Sequence, residues 1–92
     1  MTAGFLALLS AYYLCDATAT LRPLSPDTAQ TCAAQYEAVK ARFGTSSDPT
    51  PAARQAAYLR FKAWEASNVR LVERMRSEAA SSARAALLRD RI

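Results

Sequence analysis

Cys15 and Cys32 are the residues of this 92-residue chain best suited to covalent chemistry. Oxidised, they would staple two segments together; reduced, they would serve as small apolar side chains. They do not form a CxxC pair, so a thioredoxin-like redox role has no support. Other reactive groups are scarce. Histidine is absent, which removes the commonest general base and the commonest metal ligand. Two cysteines without histidine do not complete a closed zinc site. There is no glycine-rich phosphate loop and no nucleophile elbow. The carboxylates Asp16, Asp27, Glu37, Glu65, Glu73 and Glu78 show no spacing that compels a buried acid pair. The expectation is a non-enzymatic protein with no cofactor and no metal.

Whether the cysteines meet depends on the elements that carry them. Apolar residues recur at Phe5, Leu8, Tyr12, Cys15 and Ala19, and again at Ala29, Cys32, Tyr36, Val39 and Phe43. The alternating three- and four-residue steps give each segment one helical stripe. Between them lies Arg22-Pro23-Leu24-Ser25-Pro26-Asp27. Pro23 drives Arg22 out of the helical region, Ser25 suits an N-cap, Pro26 a first helical position, and Asp27 complements the helix dipole. An antiparallel fold-back then matches the stripes level by level. Ala19 faces Ala29, Cys15 faces Cys32, Tyr12 faces Tyr36, Leu8 faces Val39 and Phe5 faces Phe43. A disulfide at the second level would be worth about 3 kcal/mol by loop-closure entropy.

The expected fold is all-α: a single domain over 1–92 with helices at 3–21 and 26–43 and a long third helix at 51–90. Gly44 is expected at a left-handed position ending the second helix. Residues 45–50 read as a polar connector, with Thr50 or Asp48 as cap and Pro51 opening the third helix. Beyond Ala52 no residue demands a stop. Tyr58, Phe61, Trp64, Leu71, Val72 and Met75 form one face, and Arg60, Lys62, Arg70, Glu73 and Arg76 the other. Asn68 falls on the apolar side and should be hydrogen-bonded there. Arg70 with Glu73, and Arg74 with Glu78, can pair along the surface. A helix of this length outruns the hairpin, so the part beyond Met75 should overhang it or bend near Ser81-Ser82. The expected architecture is a three-helix bundle with a C-terminal overhang.

The first segment has few charges. Residues 3–15 carry none. As a signal sequence it would offer Ala17-Thr18-Ala19 for cleavage, but no basic residue precedes the apolar stretch. As a membrane span, thirteen residues fall short of about 20, and extension to Leu21 would place Asp16 in the bilayer. A bundle helix is the leading reading. Leu6, Leu9 and Tyr13 then form a second stripe beside the hairpin seam, which calls for another helix, a partner chain or lipid.

Net charge is +4, and the excess lies in residues 47–92. Such a surface suits an acidic partner, nucleic acid or anionic lipid. No recognisable nucleic-acid-binding motif accompanies it. The leading function is a small helical binding or assembly subunit that docks on a larger protein or self-associates. Candidate contact residues are Leu6, Leu9, Tyr13, Trp64, Arg84, Leu87 and Leu88. A membrane-anchored or envelope protein using residues 3–21 is the second reading, and a basic nucleic-acid binder the third. Bonded cysteines would favour the periplasm or cell envelope, and free ones the cytoplasm.

Overall fold

A computed structural model describes residues 3–44 and 50–90. The connector at 45–49, with Asp48 as an alternative cap, and the terminal Arg91 and Ile92 lie outside the described residues. Four helices and no strands occur among the described residues: α1 (Ala3–Leu21), α2 (Pro26–Ala41), α3 (Pro51–Ser67) and α4 (Val69–Asp90).

Local chemistry accounts for the helix starts. Ser25 accepts from the Thr28 backbone N–H at 3.2 Å and caps α2, with Pro26 next. Thr50 accepts from the Ala53 N–H at 3.2 Å and caps α3, with Pro51 next. The end of α2 departs from expectation. Gly44 does not enter the left-handed region. Instead, the N–H groups of Arg42, Phe43 and Gly44 each bond three residues back, to Val39, Lys40 and Ala41. Tightened turns of this kind satisfy the last carbonyls without a positive φ. The helix closes at Ala41, two residues before the expected end.

The hairpin forms with the expected matching. The Tyr12 and Tyr36 rings lie 5.2 Å apart and the Phe5 and Phe43 rings 5.7 Å apart, the latter edge to face. The sulfurs of Cys15 and Cys32 are joined, with Cα atoms 5.6 Å apart, inside the usual range for a disulfide. Ala19 and Ala29 both stay exposed, so the hairpin opens toward its bend.

The long third helix is divided. At Asn68 the backbone leaves the helical region (φ −128°, ψ 40°), and its N–H bonds to Glu65 rather than Trp64. The Asn68 side-chain amide donates to the orphaned Trp64 carbonyl at 2.8 Å. The Asn68 carbonyl then accepts from the Val72 N–H and opens α4. One asparagine thus closes one helix and starts the next. The break lies at Asn68 and not near Ser81-Ser82, which sit inside α4.

The break changes the packing. Arg76 of α4 meets Asp16 of α1, and Asp90 meets Arg22 at 2.7 Å. The contacts advance together, so α4 runs parallel to α1 along its length. Residues beyond Met75 therefore lie against α1 instead of overhanging the hairpin, with Ala79 and Ala83 buried. Meanwhile α3 sets off beside α2 and runs in the same direction, since Arg54 meets Glu37 and Arg60 reaches the Phe43 carbonyl. The core comprises Phe5, Leu9, Tyr13, Val39, Phe61, Val72 and Ala79. Its most completely buried side chains come from the second stripe of α1 together with Val39 and Phe61. The Cα radius of gyration is 14.3 Å, against about 12 Å for a compact chain of this length. Parallel packing of two long helices gives the elongation.

Candidate functional site

The most concentrated polar chemistry lies where α1, α3 and α4 meet. Ala57, Phe61 and Glu65 follow one another at four-residue steps on α3, and all three are buried. Glu65 is therefore an acid in an apolar stripe, 8% exposed. It is satisfied from three directions. The Tyr13 hydroxyl donates to Oε2 at 2.6 Å, Lys62 Nζ to Oε1 at 2.6 Å, and Arg76 Nη2 to Oε2 at 3.3 Å. Arg76 also donates to Asp16 at 3.2 Å, and its guanidinium sits 4.3 Å from the Tyr13 ring centre. Arg76 had been expected on the solvent face; the parallel docking of α4 turns it toward α1.

The titration shifts follow from these contacts. For Glu65, burial pushes the carboxyl up, but the hydrogen bonds from Lys62 and Tyr13 and the charges of Lys62 and Arg76 outweigh it, so the net shift is downward. For Tyr13, burial acts first and the bond to the Glu65 carboxylate second, and both hold the phenol well above its ordinary 10.0. Arg76 is desolvated, yet the opposing charges of Tyr13 and Glu65 keep its affinity for the proton raised. Among the described residues no buried side-chain nitrogen or oxygen lacks a partner. The node holds three helices in register. Its proton donors and acceptors are paired with one another.

Just beyond the node, α1 and α4 separate around a cleft of about 240 Å³. Tyr13, Asp16, Ala17, Thr20 and Leu21 line it from α1, and Arg76, Ala80 and Arg84 from α4. The two alanines explain the opening: neither side chain extends beyond Cβ. Thr20 donates to the Asp16 carbonyl at 3.0 Å. Arg84 is exposed, with no carboxylate at ion-pair distance among the described residues. A second depression, of about 340 Å³, lies between Tyr36 and Lys40 of α2 and Pro51, Arg54, Gln55 and Tyr58 of α3.

The expected contact residues fall into two groups. Leu9 and Tyr13 are fully buried, and Leu6 and Trp64 pack against the same core. The Trp64 ring meets Phe5 edge to face at 5.3 Å. These four are used intramolecularly because α4 covers the second stripe of α1, a role the sequence reading left to a third helix, a partner or lipid. Arg84 and Leu88 remain exposed and Leu87 half-buried. The surface pairs Arg70–Glu73 and Arg74–Glu78 are not formed among the described residues. Sequence reasoning missed Glu65, Arg76 and the alanine-floored cleft. The available signal was Glu65 itself, in phase with Ala57 and Phe61.

By length and composition α1 is long and apolar enough to cross a membrane. No family model matches the chain, and neither the curated proteins nor the solved structures include one similar to it.

Proposed function

We propose that this protein is a small non-enzymatic helical subunit that docks on an acidic, partly apolar protein surface through the end where α1 and α4 finish together. The observation that carries this reading is the set of side chains left over once the core has closed. Leu21 is 40% exposed and Leu88 60% exposed. Leu21 shares the cleft with Arg84, and Leu88 follows Arg84 by one helical turn. At that end, Arg84 and Arg89 of α4 have no ion-pair partner among the described residues. Apolar residues among unpaired arginines suit a partner that offers apolar side chains within a carboxylate rim. A second copy of the chain fits less well, because it would bring like charges together. Leu59 and Val69 are also exposed, but isolated surface leucines and valines are ordinary. The disulfide is consistent with an oxidising compartment.

A photo-crosslinking side chain placed at Leu88, and in a control at Gln30 on the far helix, tests this reading in the native host. A discrete salt-sensitive adduct at Leu88 and not at Gln30 supports it. Identical adducts at both positions, or none at Leu88, reject it, and an adduct of twice the chain mass turns the reading to self-association.

The apolar character of α1 supports a second reading, a membrane-associated protein. Most of its exposed residues (Ala3, Gly4, Ala7, Ser10, Leu14, Ala19, Thr20 and Leu21) are uncharged, with Asp16 the one charge among them. Insertion would have to draw Phe5, Leu9 and Tyr13 out of the core. Flotation with liposomes after a high-salt wash distinguishes the two readings, since only the membrane reading keeps the protein with lipid.

A further inference from the structure

We propose that the cleft between α1 and α4 is a binding site for a short aliphatic monocarboxylate, with the carboxylate on Arg84 and the chain lying against Ala17, Ala80 and Leu21. The argument turns on which groups of the lining are still free. At one end Asp16 and Arg76 are paired at 3.2 Å, and Arg76 is further engaged by Glu65. The Tyr13 hydroxyl is committed to Glu65 and the Thr20 hydroxyl proton to the Asp16 carbonyl. That leaves Arg84 as the uncommitted donor. Its fork of N–H groups matches a carboxylate, and no protein carboxylate occupies it among the described residues.

The remaining wall is aliphatic. Ala17 and Ala80 line it with no side-chain atom beyond Cβ, and Leu21 adds an aliphatic side chain. The charges on the lining (Asp16 negative, Arg76 and Arg84 positive) leave one positive charge unmatched, so an anion is favoured over a cation. Size narrows the class further. At about 240 Å³ the cleft is smaller than the ~300–1,000 Å³ typical of sites for drug-sized ligands. A short chain with one acid head fits these limits; a nucleotide or a large cofactor does not. Arg84 and Leu21 also belong to the proposed docking end, but the readouts are distinct: octanoate shifts test the cleft, and the Leu88 adduct tests the docking surface.

The test is a titration of the full-length oxidised protein with octanoate, followed by amide ¹H–¹⁵N shifts. Saturable shifts are expected at Ala17, Thr20, Ala80 and Arg84. Arg84→Gln should weaken binding roughly 10-fold, the cost of losing a charge-assisted pair. Octanol should bind the wild type no better than it binds Arg84→Gln. Ala80→Leu should abolish the shifts by filling the cleft, with the helical circular dichroism of the variant confirming its fold. Arg84→Gln alters only an exposed side chain and decides the matter even if Ala80→Leu unfolds. Unchanged octanoate affinity in Arg84→Gln, octanol binding as tightly as octanoate, or shifts centred elsewhere would each overturn the proposal. So would an absence of saturable shifts, and so would tighter binding by a peptide ending in a free leucine carboxylate, which would make a chain terminus the occupant.

Discussion

The two ends of α1 are held by different physics. Its first half sits in a packed aromatic core: Phe5, Leu9 and Tyr13 are buried against Val39, Phe61 and Val72, and Phe43 and Trp64 close around them. Its second half meets α4 through small side chains, Ala17 against a helix whose buried residues include Ala79 and Ala83. It meets α2 through the disulfide. The first half of α2 has little else to hold it, since Val39 near its other end is its one fully buried residue among those described. Burial of a large side chain supplies about 1.5–3 kcal/mol. An alanine contact supplies much less, so the covalent link carries most of this part of the molecule, and the exposed ion pairs there add little. Covalent reinforcement thus falls where packing is thinnest, and the cleft opens there too.

The contrast can be broken from either side. Phe61→Ala should have the largest effect, about 3–5 kcal/mol by urea unfolding. A loss below 1 kcal/mol would show that the aromatic core is not the principal support. Next comes reduction of Cys15–Cys32, or replacement of both by serine, at about 3 kcal/mol. Hydrogen exchange locates this effect: residues 26–34 should lose protection first while Leu9 and Phe61 retain theirs. Uniform loss across all four helices would erase the distinction between the two halves.

Glu65→Gln is expected to cost about 2 kcal/mol, because it weakens the acceptor for three donors. It also carries a signature in pH. The folded carboxyl titrates below its ordinary 4.5, so the unfolded chain binds its proton first as pH falls. The wild type should then lose stability from about that value downward to the lowered folded one, and Glu65→Gln should lack this part of the slope. At the alkaline side the sign reverses. The Tyr13 phenol is raised, so its contribution is intact below its ordinary value and is lost above it. A Tyr13→Phe variant whose stability parallels the wild type from neutral to strongly alkaline pH would contradict this. The smallest effect belongs to Arg22→Ala, which breaks an exposed pair with Asp90. It should fall within about 0.5 kcal/mol, and a larger loss would mean that the far end of α4 is held by more than alanine contacts.

Much of the fold was legible in the sequence for definite reasons. Capping chemistry is local, so Ser25-Pro26 and Thr50-Pro51 announced two helix starts. Stripe matching is nearly local as well, because one short bend fixes the register of the hairpin. That made the Cys15–Cys32, Tyr12–Tyr36 and Phe5–Phe43 levels readable. The candidate site was far less readable. Arg76 looked like a surface residue on a helical wheel, since its orientation depends on which helix lies beside α4. The cleft arises from two alanines on separate helices, and alanines announce nothing individually.

What the sequence by itself determined was helical content, two capped starts and one hairpin register, all matters of short-range chemistry. What only the tertiary structure decided was the break at Asn68. No proline or glycine stands there, and the residues on either side are compatible with helix. An unbroken helix would have left Leu9 and Tyr13 uncovered and Ala79 and Ala83 unpacked. A turn at Asn68, compensated by its own side-chain amide on the Trp64 carbonyl, lays α4 along α1 and buries all four. The gain is distributed across contacts between residues far apart in the chain, such as Asp16 with Arg76 and Arg22 with Asp90, 60 and 68 positions apart, which no local pattern encodes.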